Sequence, residues 1–202
     1  MILDLVPKND PILSETLPRY KFPEDPQEAI NLVQNLADTM IFHGGVGLAA
    51  NQVGLRDRVF VIKSNPIMAF FNPIIVHQNT DEILLEEGCL TMKGYYVKIK
   101  RPRTVKVRYT DVNGETTTQV FSDLTARIVQ HETDHLNGIM FTQHANPFHR
   151  DQAERAYKKY QRTHKDESVG LEIQKRLHNQ QMEINRKKLL DELQTQHISG
   201  TP

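Results

Sequence analysis

The first regular pattern along the chain is a run of apolar residues at helical spacing over 26–43. It predicts a helix that starts after Asp25, a residue suited to capping, with Pro26 in the first turn. The positions expected to face inward are Ile30, Val33, Ala37, Met40 and Ile41, with polar residues between them.

A second helical pattern covers 121–138. Ser122 and Asp123 are residues that cap helix starts, and Asn137-Gly138 supplies the left-handed residue that ends one. One face is predicted to carry buried aliphatics together with two imidazoles, namely Leu124, Ile128, His131 and His135.

Between these helices, short runs of β-branched and aromatic residues are bounded by turn residues. They predict strands over 59–62, 71–76 (interrupted at Pro73), 83–85, 95–99, 104–109 and 116–121, with a hairpin turn at 111–114. The expected fold is α+β: mainly antiparallel or mixed β-sheets around a central metal-binding helix, with an N-terminal helix and a helical C-terminal tail.

The chain becomes more polar toward its C-terminal end. From Arg150 onward there are 11 Lys/Arg against 8 Asp/Glu. A helix is predicted at 149–164, and a weaker pattern at Leu171, Leu177, Ile184 and Leu193 indicates another. We expect a catalytic domain over 1–148 and a polar helical extension over 149–202, which either is solvated or binds a partner.

The charge balance, the hydropathy and the cysteine count exclude some classes of function. Lys plus Arg equals Asp plus Glu, at 25 each, so no overall field attracts DNA. No stretch approaches the roughly 20 apolar residues that span a bilayer, and the first residues lack the pattern of a secretory signal, so neither a membrane nor an export role is expected. Cys89 is the sole cysteine, which fits a reducing compartment and a cytoplasmic location.

The segment 43–52 is rich in glycine and is predicted to be a tight, packed loop. No Lys-Ser/Thr follows it, which argues against nucleotide binding. Glycine lets another backbone approach closely, as a site for an extended peptide requires. A purely structural turn, with Gln52 bonded to backbone, is the alternative.

His131-Glu132-Thr133-Asp134-His135 matches the H-E-x-x-H pattern of metal hydrolases. Two imidazoles one turn apart can bind one metal ion, and the intervening carboxylate suits a general base. The plainer interpretation is two packed histidines on an amphipathic helix. Cys89, between Gly88 and Leu90, is by itself either a third ligand or a small buried hydrophobe.

Three segments, taken in order, closely resemble the three signature motifs of peptide deformylase. They are 45–52, 87–91 and 130–136. The resemblance covers about residues 1–145. It implies an enzyme that removes the formyl group from the N-terminal formyl-methionine of nascent polypeptides. It also implies one metal ion held by Cys89, His131 and His135, with Fe(II) as the native ion and Zn, Ni or Co as alternatives.

The resemblance also assigns further roles. Glu132 would move the proton of the attacking water, while Gln52 and the backbone N–H of Leu90 would stabilise the oxyanion. The peptide would bind near Gly45 and Gly47. The methionine side chain would contact Val46, Leu85, Leu124 and Ile128.

Three positions depart from the usual motifs: Thr91 replaces a serine, Lys93 a proline, and Tyr96 an arginine near the substrate entrance. Arg101 is expected to support the site through Asp134 or Glu87. The basic tail is compatible with ribosome contact. Two other hypotheses stay open at this point: a metallopeptidase or other amide hydrolase, and a non-catalytic ribosome-binding module.

Overall fold

The computed structural model describes residues 1–164, 174–185 and 187. The helices are α1 (Pro26–Phe42), α2 (Asp123–Leu136) and α3 (Pro147–Thr163), and residues 174–185 are also helical. The strands are β1 (Gly47–Ala49), β2 (Val59–Ile62), β3 (Met68–Gln78), β4 (Glu82–Gly88), β5 (Tyr96–Pro102), β6 (Thr104–Thr110) and β7 (Thr116–Ser122). Short 3-10 turns occur at Pro11–Ser14, Ala50–Val53, Leu90–Met92 and Phe141–His144.

The strands form two antiparallel sheets. One has five strands in the order β1-β2-β3-β6-β7, and the other is the hairpin of β4 and β5. Every strand pair in the described residues is antiparallel. The predicted α+β fold with mainly antiparallel sheets is therefore confirmed.

Helix α2 lies at the centre because it packs against several elements at once. Ala126, Val129 and Leu136 belong to the core that contains Phe60 and Phe70 of the five-stranded sheet. A second core joins α1 to β1 and β2, and a third lies between β5 and α3. The first of these cores holds α2 against the five-stranded sheet.

The predicted helices at 26–43, within 121–138 and at 149–164 are confirmed, with ends that agree to within about two residues. Asp25 caps α1 through a hydrogen bond to the N–H of Gln27, and α2 ends where Gly138 adopts a φ of 71°. The predicted burial was partly wrong. Ile30 and Ile41 are exposed because α1 packs through the stripe of Ala29, Leu36 and Met40.

Two predictions about strands need correction. The glycine-rich segment is not wholly irregular, since Gly47–Ala49 pairs with Val59–Ile62 of β2 and supplies the end strand of the sheet. Pro73 does not interrupt β3. A register shift between Phe71 and Ile74, with Asn72 at a φ of 52°, accommodates the proline within one continuous strand.

The C-terminal part contacts both the β-hairpin and the N-terminal segment. Tyr157 and Ala153 of α3 pack against β5. In the segment 174–187, Asn179 exchanges two hydrogen bonds with the backbone of Ile2, and Lys175 pairs with Asp4. Leu171 and Leu193 of the predicted tail pattern lie outside the described residues.

Among the described residues, no helix has the length and apolar character needed to cross a bilayer.

Candidate metal centre

The three predicted metal ligands come from two elements. His131 and His135 are one turn apart on α2, and Cys89 follows the end of β4. Their ligand atoms all lie within 4.8 Å of one another, and Cys89 Sγ is 3.3 Å from His135 Nε2. A thiolate and two imidazoles suit zinc or iron and leave a tetrahedral position open. These residues therefore fit a divalent transition metal.

The surroundings of Cys89 favour its thiolate. Burial alone would raise the pKa of the thiol, but the positive charge of His135 and hydrogen bonds with His131 and His135 lower it well below its usual value. Since the thiolate is the form that binds metals, this environment favours ligation.

A buried carboxylate orients His131. Glu87 Oε2 lies 3.0 Å from His131 Nδ1, which leaves the other ring nitrogen for the metal. Burial opposes ionisation of Glu87, but hydrogen bonds from His131 and Arg101, together with their charges, lower its pKa to about 2. Glu87 is therefore a permanent anion behind the metal ligand.

Arg101 joins two carboxylates beneath the site. Its Nε and one terminal nitrogen donate to Glu87 at 2.6 and 3.0 Å, and the other terminal nitrogen donates to Asp134 at 2.6 Å. His144 lies 2.9 Å from the same Asp134 oxygen. The two partners considered for Arg101 from sequence are thus both in contact with it.

Gln52 reaches the cysteine from the 3-10 turn after β1. Its Oε1 accepts a hydrogen bond from the N–H of Ala49, which aims its amide nitrogen at Cys89 Sγ (3.2 Å) and Thr91 Oγ1 (3.0 Å). The neighbouring Asn51 donates to the carbonyl of His135 at 2.6 Å. Leu90 directly follows Cys89, so its N–H belongs to the same turn.

Glu132 is buried beside this centre. Its Oε2 has no hydrogen-bond partner among the described residues, and burial raises its pKa to about 7. A Cβ at Gly47 would clash with the Glu132 carboxylate, so the glycine leaves the space that this side chain occupies. A carboxylate with these properties can accept and return a proton near neutral pH.

A cavity of about 730 Å³ opens beside the three ligands. Of the predicted substrate contacts, it is lined by Gly45, Val46, Gly47, Leu124 and Ile128. Leu124 is 61% exposed and borders the cavity, so it is not the buried aliphatic that was predicted, whereas Ile128 is half-buried and packs against the core. Leu85 is not among the residues that line the cavity, to which β4 contributes Glu86, Glu87 and Gly88, and it is 42% exposed.

The lining residues that sequence reasoning did not single out include Leu5, Phe42 and Arg127. Leu5 and Phe42 come from segments with no chemical signal. Arg127 had one, since it lies three residues after Leu124 and four before His131, on the helical face assigned to the site. Lys93 and Tyr96, two of the departures from the motifs, also line the cavity.

Comparison with known proteins confirms the resemblance. Residues 2–151 match the family model for polypeptide deformylase. A peptide deformylase of Pseudothermotoga lettingae is 38% identical over 115 residues, which are 57% of this chain and 67% of that protein. One from Thermotoga neapolitana is 39% identical over 140 residues, 68% of this chain and 84% of that protein. For a relative from Synechocystis the matched share of that protein is 62%.

Solved structures agree. A peptide deformylase from Legionella pneumophila superposes with a TM-score of 0.72 at 32% identity, covering 82% of this chain and 99% of that one. The one from Synechococcus elongatus has a TM-score of 0.71 at 34% identity, covering 76% and 85%.

Proposed function

This chain belongs to the polypeptide deformylase family of metal-dependent hydrolases, and we propose that it removes the formyl group from N-terminal formyl-methionine of newly made polypeptides, releasing formate. The observation that carries the proposal is the meeting of Cys89, His131 and His135, of which Cys89 and His131 line a cavity together with Glu132.

The metal would be held by Cys89, His131 and His135. Bound there, it would lower the pKa of a water molecule and polarise the formyl carbonyl. We propose Fe(II) as the native ion, as the family resemblance implies. Zn, Ni or Co are proposed as substitutes, because a mixed thiolate and imidazole set accepts several of these metals.

Glu132 would carry the proton. Its buried position beside the candidate metal ligands and its unpaired Oε2 suit it to take a proton from the attacking water. The same oxygen would then donate the proton to the amine that leaves. Burial raises the pKa of this carboxyl, which favours its role as proton donor in the second step.

Gln52 and Leu90 would stabilise the negative charge that develops on the formyl oxygen. The Gln52 amide is already oriented by its hydrogen bond from Ala49, so little reorganisation is needed during the reaction. The backbone N–H of Leu90 would be the second donor.

The peptide would add to the sheet as an extended strand. β1 is the end strand of the five-stranded sheet, and Gly45 and Gly47 lie along the cavity. A substrate backbone beside them would gain main-chain hydrogen bonds. Val46, Leu124 and Ile128 would contact the methionine side chain, and Leu85 is left out of this set.

The test is formate release from a formyl-Met peptide by protein purified anaerobically with iron. We expect Glu132→Ala to lower kcat by about 100-fold or more, the usual contribution of a general base, with metal content unchanged. Cys89→Ser should lose both metal and activity. Full activity in either variant would contradict these assignments.

The same assay addresses the two other hypotheses. Cleavage of internal bonds in unformylated peptides would favour a metallopeptidase or other amide hydrolase. Absence of any turnover by the iron-loaded protein would favour a non-catalytic role.

We further propose that the enzyme acts in the cytoplasm and meets nascent chains at the ribosome through residues 149–202. The exposed Lys158, Lys159 and Arg162 of α3 support this, since ribosomal RNA attracts cations. Charge reversal at Lys158 and Lys159 should reduce co-sedimentation with ribosomes at low salt. The control is Lys63→Glu, an exposed site on the body. Equal binding by all variants would contradict this contact.

A further inference from the structure

One part of the cavity wall is built by residues that have no role in the proposed chemistry. Leu5, from the N-terminal segment, and Phe42, at the end of α1, both line the cavity and are half-buried. Leu5 also packs against the core that joins α1 to β1 and β2. Apolar side chains in the wall of a cavity provide contacts for an apolar ligand group.

The position of this wall relative to the metal centre follows from the chain between Phe42 and Gly47. Gly47 lies against the carboxylate of Glu132, because a Cβ at this glycine would clash with it. All residues of 42–47 line the cavity. The wall therefore leads from the proposed proton carrier back to the end of α1.

An extended peptide that begins at the metal centre can follow this wall in one direction. It advances about 3.3 Å per residue. The other direction along β1 is closed, because Leu48 and Ala49 are fully buried. The residues after formyl-methionine would therefore come alongside Phe42 and Leu5.

The helical segment 174–185 holds the N-terminal part of the chain from outside the cavity. Asn179 accepts a hydrogen bond from the N–H of Ile2 at 2.9 Å and donates one to its carbonyl at 3.1 Å. Lys175 is buried and pairs with Asp4. Two residues that precede the cavity wall are thus fixed to this segment.

Leu5 therefore lies between two fixed neighbours. On its other side, the N–H of Val6 donates to the carbonyl of Gln52 at 2.9 Å. The segment 174–185 also adjoins the second wall residue, since the ring of His178 lies 6.3 Å from that of Phe42. These contacts connect the C-terminal segment to the cavity wall.

We propose that the segment 174–185 completes the substrate groove by holding Leu5 where it contacts an apolar side chain after formyl-methionine. This rests on the proposed deformylase function. Asn179 and Lys175 are positioning residues, because they act on the substrate through Leu5. The enzyme thus favours polypeptides with apolar residues next to the formyl-methionine.

The experiment compares kcat/KM for two formyl peptides in which formyl-methionine is followed by three leucines or by three asparagines, residues of similar size. We expect the native enzyme to prefer the leucine peptide by about five-fold or more, because apolar surface leaves water at this wall. Asn179→Ala and Leu5→Ser should each reduce this preference by about three-fold or more. The loss should appear in KM, since the contact is remote from the bond that breaks.

Gln180→Ala, the exposed neighbour of Asn179, is the matched control and should keep the native preference. Asp4→Asn weakens the second anchor at an exposed position, so it keeps the test available if Asn179→Ala does not fold. It should reduce the preference in the same direction. An unchanged preference in Asp4→Asn and in folded Asn179→Ala would overturn the proposal, and so would an equal loss in Gln180→Ala.

The short peptide formyl-Met-Ala separates this inference from the proposed function. Failure of the native, iron-loaded enzyme on this peptide would contradict the deformylase activity itself. Turnover of formyl-Met-Ala without any native preference between the two longer peptides would overturn only the role of the segment 174–185.

Discussion

Glu87 is the residue on which most interactions behind the candidate metal centre converge. It contacts His131, Arg101 and Arg127 within the buried region. A carboxylate that accepts hydrogen bonds from three cationic or imidazole groups fixes the orientation of all three. The geometry of His131 therefore depends on a residue that is not itself a ligand.

We expect Glu87→Gln to weaken metal retention by about 10-fold to 100-fold, the usual effect of removing a carboxylate behind a ligating histidine. The amide keeps the shape and loses the charge. Metal content after dialysis against graded chelator measures the effect. Glu86→Gln, the adjacent glutamate without these contacts, should retain metal like the native protein. Equal retention by both variants would contradict this role.

The sequence allowed part of this site to be predicted. The two histidines and Glu132 share one helical window, so their spacing alone indicated a metal site. Cys89 was ambiguous until it was considered with the other two motifs. Arg101 was expected to contact Glu87 or Asp134, but the contact of Glu87 with Arg127 could not be predicted, because it depends on how β4 and α2 are packed.

At the scale of elements, those stabilised by interactions within their own segment were predicted well, and those that depend on distant segments were not. α1 and α2 carry their capping residues and periodicity within the segment itself, and both were predicted closely. β1 was missed because its hydrogen bonds are made with β2, which lies ten residues further along. The exposure of Leu124 was also missed. Helical periodicity shows which residues share a face, but it does not indicate whether a core or a cavity lies against that face.

The packing of α3 on β5 is an element-level contribution to stability. Tyr157 is buried against Tyr95, with ring centroids 5.4 Å apart, and Tyr95 contacts Phe141, whose ring is 5.3 Å from that of His131. These ring contacts thus connect α3 to the metal-binding helix α2.

We expect Tyr157→Ala to lower the free energy of unfolding by about 2–4 kcal/mol, because a large aromatic side chain leaves a cavity. Chemical denaturation monitored by circular dichroism measures it. Gln161→Ala, an exposed position on the same helix, should change stability by less than about 0.5 kcal/mol. Similar stability of the two variants would show that α3 does not support the fold.

At the scale of the whole molecule, the segment 174–187 bridges parts of the chain that are distant in sequence. The Asn179 side chain pairs with both backbone groups of Ile2, and His178 lies near Phe42, a residue that lines the cavity. The sequence suggested a second tail helix, but its weak apolar pattern could not indicate this partner, because polar side chains make the contacts.

We expect Asn179→Ala to lower the free energy of unfolding by about 1–2 kcal/mol, the effect of two lost hydrogen bonds to a partly buried backbone. Thermal unfolding and hydrogen exchange at the Ile2 amide would measure it. Gln180→Ala, the exposed neighbour, is the control. Unchanged exchange at Ile2 in Asn179→Ala would contradict the bridge.

Hydrogen bonds connect each pair of the three sequence motifs: Gln52 with Cys89, Asn51 with His135, and Glu87 with His131. Displacement of one motif would therefore strain its hydrogen bonds to both of the others. The hairpin turn at 111–114, between the second and third motifs, takes part in none of these bonds. An insertion in the hairpin turn at 111–114 would then leave the reaction unaltered, whereas a shift of a single residue within a motif would disable it.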